Sequence, residues 1–180
     1  IMICCLHDHS SPDTNGLTNT KGYLKYTLNP DWFKIIRKKI ILSAIQAKKN
    51  ALPAKLGVKQ VPPLERLVVN RRHPLRPLNY KLNFIKICDP NDDLLGIIAN
   101  YAIHGTTLNA RNLLISAEYP GYMIRKLEKD FPKSFAMYLN GPCGDINPNL
   151  FPKDIPYEKI DFDYYFEGEY SKFNELAHYG

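Results

Sequence analysis

Histidines in two distant clusters carry the chemistry this sequence has to offer. His7 and His9 stand two residues apart in His7-Asp8-His9-Ser10, and in an extended backbone both project to the same side and can face one pocket. Two readings stand at this point: a polar surface loop, or a pair of metal ligands, since imidazole is a standard zinc donor. His104 ends the apolar run from Leu94 to Ile103 and enters Gly105-Thr106-Thr107. A strand fixes an imidazole at such a place and the loop leaves it accessible. Further on, Ser116 and Glu118 come just before a helix expected from Pro120 to Phe131, whose unpaired first amides can help hold an anionic or oxyanionic group. Arg71 and Arg72 follow Val68-Val69-Asn70 and precede His73, which reads as an exposed loop residue.

The elements that must position these groups come next. Residues 1–6 are apolar and read as a buried strand running into His7. Asn29-Pro30-Asp31 opens the clearest helix, with Asn29 as N-cap, Pro30 in the first turn and Asp31 favourable to the helix dipole. Trp32, Ile35, Ile36, Ile40, Leu42 and Ile45 give it a broad apolar face, with the lysines and Arg37 mostly opposite, until Pro53 stops it. This helix reads as scaffold, its cations as a solvated face. Lys55 to Val61 alternates as a short strand and Pro62-Pro63 interrupts it. The runs 82–87 and 94–103 flank Asp89-Pro-Asn-Asp-Asp93 and predict a β-hairpin with a largely buried second strand. In the helix from Pro120 the pattern puts Tyr122, Ile124, Leu127 and Phe131 inward. Residues 134–139 predict a buried strand, and residues 140–149 a loop too rich in Gly, Pro and Asn to be regular. Residues 153–180 are acidic and aromatic, with a helix from about Tyr165.

With 180 residues, 44% of them apolar and 23% charged, the chain has one domain's worth of core. No apolar run reaches the length that spans a bilayer, and the N-terminus lacks the basic start of a signal peptide. It starts in what reads as mid-strand and stops without an evident end to its last element, so a fragment of a longer protein is expected. The net charge of +6 is uneven: residues 1–150 hold 21 Lys/Arg against 11 Asp/Glu, and residues 151–180 hold 3 against 7. A basic body permits contact with anionic lipid or nucleic acid, though its cations are scattered. Cys4, Cys5, Cys88 and Cys143 follow no metal-finger spacing; neighbouring Cys4 and Cys5 alternate faces in a strand and are not expected to pair.

Five segments in order, His7 to Pro12, Asn70-Arg71, His104 to Thr107, Ser116 to Tyr122 and Gly144 to Asn149, resemble the neutral (non-lysosomal) ceramidase family. Each match is weak alone; their order over about residues 7–150 makes them specific together. The resemblance implies a zinc amidohydrolase with an N-acyl lipid such as ceramide as substrate, and so peripheral contact with a membrane surface rather than nucleic acid. It implies His7 and His104 as zinc ligands, His9 and Arg71 lining the site, and Ser116 as the family's essential serine. Asp145 is implied either as the group that orients a ligand histidine or as a loop cap. Ser11 and Asp8 depart from the family pattern, as does Ala117-Glu118-Tyr119-Pro120 around the serine. The family's remaining ligands, a glutamate and a tyrosine, lie further along than Gly180. Family members are often secreted or at the cell surface.

The expected architecture is α/β, a mixed β-sheet with flanking helices in a partial domain. Residues 1–150 form the hydrolase core, and residues 151–180 an acidic aromatic tail that begins the next part of the same domain. With half a metal site matched, weak zinc binding and little activity are expected of the chain alone. Two other readings are a cysteine hydrolase using Cys143 with His104, and a non-catalytic basic module that binds anionic lipid or nucleic acid.

Overall fold

A computed structural model describes residues 1–12, 30–62, 67–72, 78, 81–108 and 112–149. Asn29, His73 and the tail from 150 onward lie outside the described residues, so the N-cap, the His73 reading and the tail helix stay as expectations. The chain divides into two compact units, one of residues 1–3 with 11–53, the other of residues 4–10 with 54 onward.

The first unit holds helix α1 (Pro30–Lys49), with Asp31 in its first turn and Lys48 and Lys49 in its last, both favourable to the helix dipole. An exposed pair, Lys34 to Asp31 at 3.2 Å, adds little to stability. The helix forms where its pattern places it, but none of its residues is buried. Phe33, Ile35, Ile41, Leu42 and Ile45 are all about half exposed, because its own unit offers no second element among the described residues to pack against.

The second unit is built on a four-stranded sheet. Strands β1 (Lys55–Val61), β3 (Leu82–Cys88), β4 (Leu94–Tyr101) and β5 (Phe135–Asn140) lie side by side in that order; β2 (Val68–Asn70) and β6 (Ile146–Pro148) form a separate two-stranded sheet. β1, β3 and β4 are antiparallel neighbours, whereas β5 runs parallel to β4. The architecture is therefore a mixed sheet of the α/β class. The hairpin turn between β3 and β4 is tied by Asp89, whose carboxylate accepts the amides of Asn91 and Asp93. Asp92 takes a positive φ of 73° there, a conformation that Asp tolerates better than most side chains.

A parallel neighbour requires a crossover, and here it runs from the end of β4 through residues 102–117 into helix α2 (Glu118–Asp130) before β5. Tyr119, Met123 and Ile124 of α2 pack on a cluster of Val68, Tyr101, Ala102, Ile103, Tyr138 and Ile146. Full burial of a Val- or Ile-sized side chain contributes about 1.5–3 kcal/mol, so this cluster is what holds the ends of β4 and β5 against the small sheet.

Three expectations are corrected here. Residues 1–6 are exposed and form no strand, because their neighbourhood contributes a single bridge, Asp8 to Gly105, and a ladder needs more. Helix α2 begins at Glu118 and turns Tyr119 inward, so Tyr122 and Phe131, expected in the core, are exposed. The loop 140–149 is regular in part: Ile146–Pro148 pairs with Val68–Asn70, a three-residue ladder made by tertiary contact.

Candidate metal centre

His104 sits three residues past the last residue of β4, and its surroundings fix both its backbone and its ring. Its N–H donates to the Ile146 carbonyl at 2.9 Å, which continues the small sheet into the site. Its side chain is buried, and Nδ1 lies 2.6 Å from the Cys143 carbonyl oxygen. A carbonyl can only accept, so Nδ1 carries the proton and Nε2 presents its lone pair. Beneath it, the Tyr119 hydroxyl donates to the Ile103 carbonyl at 2.9 Å and the Tyr138 hydroxyl to the Tyr101 carbonyl at 2.7 Å. The two hydroxyls lie 2.6 Å apart and, with two protons for three contacts, share the donation among them. Burial pushes the Tyr138 hydroxyl up to about 12 and raises Tyr119 as well, so both stay protonated and keep the end of the strand pinned.

The second histidine segment is laid against the first by backbone contacts. Asp8 bridges Gly105, and the His9 N–H donates to the Gly105 carbonyl at 3.2 Å. A side chain at Gly105 would put its Cβ 3.0 Å from the His7 carbonyl oxygen and 3.2 Å from the Asp8 Cα, so any larger residue would push the two segments apart by a few tenths of an ångström. His7 has a positive φ of 53°, a strain of about 1–3 kcal/mol for a non-glycine residue that the surrounding contacts must hold.

These constraints bring three imidazoles together. Ring centroids lie 4.5 Å apart for His7 and His104, 5.0 Å for His7 and His9, and 5.6 Å for His9 and His104. One ring nitrogen of each lies within 4.8 Å of the other two. Donor nitrogens about 2.0–2.1 Å from a zinc ion lie within roughly 4 Å of one another, a little closer than the 4.8 Å within which these three lie. Burial lowers the pKa of His7, helped by His9 and Arg71. Burial also lowers that of His104, against the raising effect of the Cys143 carbonyl and with further lowering by Arg71, His7 and His9. Both are therefore biased toward the neutral form that binds metal.

Arg71 is placed by the same loop that orients His104. Its N–H donates to the Asp145 carbonyl at 2.8 Å and its Nε to the Gly144 carbonyl at 3.0 Å. The Asp145 carboxylate accepts from the buried Asn70 Nδ2 at 2.9 Å. Asp145 is thus a brace for the loop, and a backbone carbonyl, that of Cys143, is what orients the histidine. The Ser116 hydroxyl accepts the Glu118 N–H at 3.0 Å and the Ser116 N–H donates to the Ser10 carbonyl at 2.9 Å.

In the sequence Glu118 stands out only as a neighbour of Ser116 before the helix and as a departure from the family pattern. It is buried, with a positive φ of 46°, and its carboxylate accepts from the hydroxyls of Ser10 and Thr107 and from the Thr107 and Leu108 amides. The only advance signal was an acidic residue at the start of a helix.

No family profile matches the sequence. Neutral ceramidases of Drosophila melanogaster and Drosophila pseudoobscura pseudoobscura are each 29% identical to it over 77 residues, 38% of this chain and 11% of theirs. The crystal structure of neutral ceramidase from Pseudomonas aeruginosa covers 88% of the chain with a TM-score of 0.68 at 22% identity. A structure described as ceramidase complexed with C2 covers 82% with a TM-score of 0.67 at 23% identity. The chain resembles neutral ceramidases in part of its sequence and in its fold. It spans 25% and 27% of the lengths of those two solved chains and shares their fold over most of its own length.

The geometry bears on the cysteine reading too. All four cysteines are free, Cys143 is buried, and its thiol receives the Asn140 Nδ2 at 3.2 Å. His104 turns Nδ1 to the Cys143 carbonyl and not to its sulfur, so this nitrogen is not placed to act as a base for the thiol.

Proposed function

We propose that this chain supplies part of the active site of a zinc-dependent amide hydrolase that cleaves an N-acyl lipid such as ceramide into fatty acid and amine. The observation that carries the reading is the convergence of His7, His9 and His104 past the end of β4, in a chain related to the neutral ceramidases. The donor set fits zinc: three imidazoles, of which those of His7 and His104 are biased neutral and that of His104 is oriented by a carbonyl on its other nitrogen. Zinc, when bound, polarises a carbonyl and makes a bound water acidic near neutral pH.

The chain's own groups then take roles around it. His7 and His104 hold the ion. His9 reaches the same point and either completes the trio or donates to the carbonyl oxygen of the scissile amide. Arg71, whose charge is felt at both His7 and His104, stabilises negative charge building on that oxygen. Ser116, already accepting from the Glu118 amide, has a hydroxyl proton to donate to the substrate. Residues 1–150 are proposed as this core, with 151–180 beginning the next part of the domain. A bilayer-resident substrate goes with peripheral contact between the basic body and the membrane surface.

Hydrolysis of a fluorescent N-acyl sphingosine by the 180-residue chain with added zinc tests the reading. Slow release of the labelled acid, abolished by chelation and by His104→Ala and unaffected by thiol alkylation, is the expected result. Turnover that resists chelators and dies on alkylation would select the Cys143 hydrolase instead.

A further inference from the structure

The structure assigns Glu118 as the clamp that ties the two histidine-bearing segments together and so sets the spacing of the three imidazoles. One carboxylate oxygen, Oε1, accepts from the Ser10 hydroxyl at 2.9 Å, directly after His9. The other, Oε2, accepts from the Thr107 amide and hydroxyl and, at 3.3 Å, from the Leu108 amide, three and four residues after His104. Three further contacts close the same ring: Ser116 N–H to the Ser10 carbonyl at 2.9 Å, Asn112 Nδ2 to the Ser10 hydroxyl at 3.3 Å, and the Glu118 N–H to the Ser116 hydroxyl at 3.0 Å.

Two features separate this from an ordinary surface hydrogen bond. The carboxylate is buried, so its acceptors have little access to water and leaving them unmatched is unfavourable. The backbone of Glu118 lies at a φ of 46°, a conformation other side chains avoid, and this orientation turns the carboxylate back from α2 toward the loop. A strained residue whose side chain bridges two ligand-bearing segments acts on the metal site through them, as a positioning residue. Its consequence for zinc rests on the hydrolase reading above; the clamp itself does not.

The test compares Glu118→Ala and Glu118→Gln in the full 180-residue chain. Glutamine keeps an acceptor for Thr107 and Leu108 and can donate to the Ser10 hydroxyl, so it should rescue what alanine loses. Zinc affinity is measured by competition with a chromophoric chelator, and amide exchange is followed at His9, Thr107 and Ser116. For alanine the expected outcome is a loss of about 10- to 100-fold in zinc affinity, with faster exchange at those amides and unchanged exchange in β3 and β4. Glutamine should stay near wild type. If Glu118→Ala fails to fold, Ser10→Ala and Thr107→Val each remove one strap and report the same quantities. Wild-type exchange and affinity in a folded alanine variant would overturn the clamp. Should the wild-type chain take up no zinc while exchange rises locally in the variant, the clamp stands and the zinc reading fails.

Discussion

The Nδ1 of His104 lies 2.6 Å from the backbone carbonyl oxygen of Cys143, and this contact decides which ring nitrogen is left for a ligand. Since the acceptor belongs to the main chain, the tautomer is set by the fold of residues 143–146. Long-range proton–nitrogen NMR on the imidazoles of the metal-free chain should show His104 neutral and protonated at Nδ1 above pH 7. A ring protonated at Nε2 would contradict the orientation described for the site.

The lowered pKa values of His7 and His104 make stability depend on pH in a stated direction. Unfolded, each titrates near the ordinary 6.5, and folded, each titrates below it. Between those values the unfolded chain binds more protons than the folded one, so stability rises with pH there. The contribution is present above pH 6.5 and is lost as the pH falls through the folded values. Thermal melts of the metal-free chain from pH 7.5 to 5 should show a decline on acidification that is reduced in a His7→Asn, His104→Asn double variant. An identical decline in both proteins would mean that these imidazoles are not depressed.

Gly105→Ala tests the close approach of the two segments. The added Cβ meets main-chain atoms, the His7 carbonyl oxygen at 3.0 Å and the Asp8 Cα at 3.2 Å, which cannot turn aside as a flexible side chain would. The expected destabilisation is about 1–3 kcal/mol. Because the displaced segment carries His7 and His9, zinc affinity should fall by about tenfold or more, equivalent to at least about 1.4 kcal/mol. Chemical denaturation and chelator competition measure the two effects, and a variant unchanged in both would show the segments to be further apart.

Tyr119→Phe removes the hydroxyl that donates to the Ile103 carbonyl, and Tyr138→Phe the one that donates to Tyr101. Each leaves a carbonyl at the end of β4 without that donor, at about 1–3 kcal/mol. The hydroxyls touch, so the double variant should cost less than the sum of the singles. Denaturant midpoints of the three proteins give the comparison; strict additivity would mean the hydroxyls act separately.

What could be read before the coordinates followed from local chemistry. α1, β1 and the β3–β4 hairpin were legible because proline, acidic turn residues and strict alternation act over a few neighbours. His7 and His9 on one side and His104 at a strand end were legible for the same reason. Neither β2 nor β6 was visible, since a three-residue ladder exists only once the chain brings Val69 beside Asn147. The rotation of α2 was misread because Tyr119 is turned inward by hydrogen bonds to Ile103 and Tyr138, residues distant in sequence. Of the two roles open to Asp145, the loop cap is the one its carboxylate takes, by meeting Asn70. Glu118 could not be read as a bridge until Ser10 and Thr107 stood on either side of it.

The central claim is that His7 and His104 share one ion with His9 beside it, and zinc titration of the chain and its single His→Ala variants tests it most directly. One zinc per chain is predicted, with affinity falling more than about 100-fold for His7→Ala and His104→Ala, beyond the loss expected for an outer-shell partner. His9→Ala falls as far if His9 is a ligand, and by less if it faces the substrate. Zinc uptake unchanged by removal of either His7 or His104 would contradict the account.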